Sequence, residues 1–69
     1  MTHKEFLKKM GLEVRVARIR KGLSINEVSK VTGLCIGSIG KIENGKCDTK
    51  ILSYKRIADA LEIEIKNFL

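Results

Sequence analysis

The chain has 69 residues and a net charge of +6, with 43% hydrophobic and 32% charged positions. That length bounds it to one domain over 1–69, with a small core and modest stability, and the apolar share excludes wholesale disorder. The excess of 14 Lys and Arg over 8 Asp and Glu favours a polyanionic partner, because each neutralised phosphate releases counterions, but it does not choose between DNA, RNA and anionic lipid.

Thr2 and Glu5 have capping-box spacing, so a first helix should begin near Thr2 and run to about Lys21, with Gly22 ending it. At about 100° per residue, Phe6, Leu7, Met10, Val14, Ala17 and Arg18 fall on one side of it. Leu12, Val16 and Ile19 align on the opposite side at i, i+4 and i+7. A second apolar stripe on a surface helix calls for a cover, either a second copy or another protein, unless these are scattered surface aliphatics.

Ser24 and Glu27 make another capping box, opening a helix over about 24–31 with Val28 and Val31 on one face. Gly33 stands where that helix must stop and the chain must turn. A third helix over about 36–44 buries Ile39 and Ile42, and Gly45 ends it. A loop leads to a fourth helix, capped by Asp48 or Thr49 and ending near Leu61, with Tyr54, Ile57, Ala58 and Leu61 as its core face. A last turn or two over 64–69 closes the domain with Phe68. Strand-like alternation is confined to 61–65. The expected fold is therefore all-α, a compact bundle of about five helices around a central helix-turn-helix.

No long apolar run and no signal pattern appear, so neither a membrane span nor secretion is expected. Cys35 and Cys47 lie outside any CxxC pair and His3 is the single histidine, so no metal and no cofactor are expected. Reduced thiols in the cytoplasm are the default. No nucleophile has an adjacent base, so the chain is not expected to be an enzyme. A short helix, a tight turn and a second helix on such a basic chain suggest a fold that lies in the major groove of DNA.

The residues Gly11, Arg18, Gly22-Leu23-Ser24, Gly33, Ile39, Ile42-Glu43-Asn44-Gly45 and Ala58-Asp59-Ala60-Leu61 stand in the order and at the intervals of a known family. From about Met10 to Leu69 the sequence resembles the lambda-repressor-like (Cro/Xre) helix-turn-helix family. The resemblance implies a duplex-DNA binder that acts as a homodimer, a repressor-type transcriptional regulator in the cytoplasm of a bacterium or encoded by a phage. Two alternatives share the fold: a protein-interaction module that has lost its DNA role, and an antitoxin or restriction-controller protein.

By the same resemblance the third helix enters the groove and exposes Cys35, Ile36, Gly37, Ser38, Gly40 and Lys41. Family members often carry Gln, Arg, Asn or Thr there, because base edges are read by bidentate hydrogen bonds. Here only Ser38 and Lys41 are ordinary polar readers, so direct readout should be thin and specificity should lean partly on DNA shape. Ile36 can touch a thymine methyl. Lys41, Asn44, Lys46 and Lys50, with the backbone N–H of Ile25, are the expected phosphate contacts. Arg18 and Glu43 are expected to pair across the first and third helices and set the angle of the third. Cys35 replaces a preferred Ser at the start of that helix; it is expected to be a small residue tolerated at a weak cap, the alternative being a redox switch whose oxidation blocks the DNA face.

Overall fold

A computed structural model of the chain describes residues 1–47 and 50–63. Among these residues all regular structure is helical, in four helices: α1 (His3–Arg20), α2 (Ile25–Thr32), α3 (Ile36–Glu43) and α4 (Ile51–Ala60). The bundle has the expected all-α plan around a helix-turn-helix. The expected closing turn at 64–69 lies outside the described residues, as do Asp48 and Thr49.

Local chemistry sets most boundaries. The Thr2 hydroxyl accepts the Glu5 N–H and opens α1. The Ser24–Glu27 box is complete: the Glu27 N–H donates to Ser24 Oγ at 3.1 Å and the Ser24 N–H donates to Glu27 Oε1 at 3.0 Å. At the other end of α2, Gly33 takes φ +77°, a left-handed conformation that a side chain would resist. The start of α4 corrects the sequence reading. Its cap is Lys50, with no side-chain hydrogen bond.

Met10, Val14, Val28, Ile39, Ile42, Tyr54, Ile57, Ala58 and Leu61 form one buried cluster drawn from all four helices. Each large apolar side chain so buried contributes roughly 1.5–3 kcal/mol. Two expectations fail at its edges. Val31 is exposed and Thr32 is buried in its place, because i+3 and i+4 flank Val28 on either side and the packed neighbours lie on the i+4 side. Burying this hydroxyl is tolerated because it donates to the Val28 carbonyl and accepts the Leu34 N–H. Phe6 is exposed and Leu7 half-buried, since the first turns of α1 run past the end of the core.

Helix α1 packs chiefly on α3, and Gly11 makes the approach close. A Cβ there would stand 2.6 Å from the Glu43 carbonyl oxygen. The two backbones therefore touch where any other residue would separate them.

Candidate nucleic-acid interface

The geometry of the turn comes from α2. The Ser29 hydroxyl donates to the Leu34 carbonyl, and Thr32 bonds on both sides of Gly33. Two short polar side chains thereby fix how α3 leaves the turn. Helix α3 then presents Ile39, Ile42 and Glu43 inward. Its remaining positions face out.

The angle of α3 is pinned from behind. Arg18 donates from Nε to Glu43 Oε2 at 2.7 Å and from Nη2 to Oε1 at 3.1 Å. Its Nη1 donates to the Leu23 carbonyl at 2.8 Å. The fork thus ties α1, the α1–α2 turn and α3 together. The Glu43 side chain is only 5% exposed and that of Arg18 14%. The hydrogen bond that Arg18 donates to Glu43 raises the guanidinium pKa further above its already high value, against an opposing effect of burial.

Cys35, Ile36, Gly37, Ser38, Lys41, Asn44, Lys46 and Lys50 are all exposed. The first five and Asn44 lie on or at the ends of α3, Lys46 follows it, and Lys50 caps α4. Cys35 caps α3 without a side-chain hydrogen bond and its thiol is free. Ile25 differs from the rest. Its side chain is half-buried against the core, which leaves the backbone at the start of α2 as the part able to meet a phosphate.

Gly37 and Gly40 share the outer side of α3 with Lys41. A Cβ at either position would meet nothing within 4 Å. The fold itself therefore has no steric need of glycine there, although each glycine weakens a helix by about 1 kcal/mol relative to Ala. The bare backbone leaves room for another molecule to come close.

Two basic residues emerge only in three dimensions. The chain leaves α3 through Gly45, at φ +66°, where a Cβ would stand 2.7 Å from the Cα of Lys8. The Lys46 N–H donates back to the Lys41 carbonyl at 2.9 Å, completing a helix stop. This close fit makes a groove lined by Lys4, Leu7, Lys8, Asn44 and Lys46. Lys4 and Lys8 thus join Lys46 in one cationic strip. Their i, i+4 spacing was the available signal, but nothing local said that α1 begins beside the end of α3.

Among the described residues no three His, Cys, Asp or Glu side chains gather as a metal site, and no helix is long and apolar enough to cross a membrane. The arrangement offers an exposed helical face bordered by a cationic groove.

A family model described as helix-turn-helix matches residues 14–68. No curated protein sequence matches the chain significantly. Among solved structures, the restriction-modification controller protein C.AhdI from Aeromonas hydrophila is 30% identical, with 91% of this chain and 96% of that one covered and a TM-score of 0.87. An HTH_3 family transcriptional regulator from Vibrio cholerae is 27% identical with a TM-score of 0.90. The match covers 97% of this chain but 38% of that longer one. The clp gene regulator ClgR from Corynebacterium glutamicum has a TM-score of 0.87 at 17% identity, over 91% of this chain and 67% of that one, and shows the shared fold alone.

Proposed function

The chain belongs to the helix-turn-helix family, and from that premise we propose how it works as a DNA-binding transcriptional regulator. Helix α3 lies in the major groove with Gly37, Gly40 and Lys41 against the base pairs. Ser38 and Ile36 supply the limited direct readout: a hydroxyl that can bond either strand and an apolar tip for a thymine methyl. Lys41, Asn44, Lys46 and Lys50, with the start of α2 at Ile25, hold the phosphates and set the register. Lys4 and Lys8 extend that strip along α1. Two copies bind as a homodimer, with recognition helices about 34 Å apart on successive turns. The chain acts in the cytoplasm, as a repressor-type regulator and not as an enzyme.

One observation carries this reading. The outer side of α3 is open, carries two glycines that the fold does not need, and is rigidly backed by the Arg18–Glu43 fork. A face built that way suits close contact with a stacked, charged surface. Titration of a random duplex at about 50 and 200 mM salt tests it, since phosphate binders lose affinity steeply over that range. No binding at the lower salt would favour a protein-interaction module. A second reading, control of a restriction-modification system, rests on the likeness to C.AhdI over nearly its whole length. A restriction enzyme gene beside this one would support it.

A further inference from the structure

Helix α1 carries Leu12, Val16 and Ile19 at 58%, 37% and 57% exposure, a row on the side away from the buried Met10, Gly11 and Val14. Glu13 and Arg20 border this row. They are seven residues apart, so they lie on the same flank. Neither has an ion-pair partner among the described residues.

We propose that this face docks on α1 of a second copy, the two helices running antiparallel across a two-fold axis near Val16. The charges argue for this occupant. A two-fold axis perpendicular to both helices keeps each flank against the same flank of the other copy and reverses the direction. With the axis near Val16, Glu13 of one copy then meets Arg20 of the other, within about a residue of register. The symmetry makes the contact twice. Leu12, Val16 and Ile19 interleave with their counterparts between the two pairs. Lys9 falls beyond the last turn of the second helix. Arg15 borders the row on the other flank, beside the axis, where it faces its own counterpart: one like-charge contact against the two Glu13–Arg20 contacts. A parallel pairing would instead set each flank against the opposite flank of the other copy, so Glu13 would not meet Arg20 and Arg15 of one copy would approach Arg20 of the other.

The contact leaves the DNA face free. The core side of α1 meets α3, and the open side of α3 faces away from α1, so the joined faces and the α3 faces lie on opposite sides of each copy. The contact therefore links copies that each hold DNA, and is distinct from the side-by-side placement that two half-sites on one duplex require. Only this last consequence rests on the DNA reading. One helix-on-helix contact is smaller than the roughly 1,200 Å² of a standard interface, so association should be weak.

Sedimentation velocity without DNA, on a concentration series reaching about 1 mM, measures the contact directly. The parent should associate reversibly. Glu13→Arg and Arg20→Glu should each weaken association by about tenfold or more, because like charges then face each other twice. The double reversal should restore it, and Leu12→Lys with Val16→Glu should abolish it. Circular dichroism confirms that each variant is folded, and the doubly reversed protein guards against a general loss of fit. A parent that stays monomeric throughout overturns the proposal. So does association that ignores the single reversals, or a double reversal no better than either one. Binding to a short duplex should be unchanged in the Leu12, Val16 variant. Failure of the parent to bind that duplex would instead count against the DNA reading and leave the α1 contact intact.

Discussion

Removing the Glu43 carboxylate is the sharpest test of how α3 is held. Glu43 is 5% exposed and accepts two hydrogen bonds from Arg18, at 2.7 and 3.1 Å. In Glu43→Ala the guanidinium keeps its bond to the Leu23 carbonyl but loses its counter-charge. Stranding one member of a buried pair costs roughly 3–5 kcal/mol. A 69-residue domain at about 0.05–0.15 kcal/mol per residue has on the order of 3–10 kcal/mol in all. The variant should therefore be marginal or unfolded. Urea titration at about 1 kcal/mol/M for so small a chain should show a midpoint lowered by roughly 3 M or more. Replacing both partners, as in Arg18→Met with Glu43→Leu, should recover most of the loss, because no charge is then left unpaired. A Glu43→Ala midpoint within about 1 M of the parent would refute the reasoning, as would a double replacement no more stable than the single one.

Gly11→Ala should destabilise by about 1–3 kcal/mol or more despite the better helix propensity of Ala, since its Cβ meets the backbone of α3; thermal melting checks this. Gly37→Ala and Gly40→Ala should do the reverse, adding up to about 1 kcal/mol each while weakening duplex binding, read by melting and by fluorescence anisotropy. Lys46→Ala should weaken binding to all sequences alike and flatten the salt slope by about one, with Lys4→Ala and Lys8→Ala together adding about two. The backbone N–H of Ser24 holds the Glu27 carboxylate below its usual value, so its contribution is present above the ordinary 4.5 and lost as the pH falls through the lower folded value. Melting between about pH 6 and pH 3 should then show a shallower acid decline in Glu27→Gln, which keeps the capping oxygen.

What could be read from the sequence was what is local. The Ser24–Glu27 box and Gly33 are each contained within a few residues, and they delimit α2 and its turn. Apolar spacing found the core face of α4, because Tyr54, Ile57, Ala58 and Leu61 repeat with the helix. Spacing misled at Val31, where i+3 and i+4 both fall near the core face and only packing chooses Thr32. The start of α4 escaped as well, since two good capping residues stood just before Lys50 and no local rule ranks their geometry. The link between Arg18 and Glu43 spans 25 residues and has no local sign. Resemblance to a family was what connected them. Lys4 and Lys8 were overlooked because they reach the rest of the cationic strip only where Gly45 lets the loop settle on α1.

Nuclear magnetic resonance titration with an unlabelled duplex at low salt tests the central claim most directly. The amides of Gly37, Ser38, Gly40 and Lys41 should shift most, followed by those of Lys46 and the first turn of α2, while Leu12, Val16 and Ile19 stay in place. Shifts centred on the outer side of α1, or none anywhere on α3, would contradict a groove-reading role for that helix.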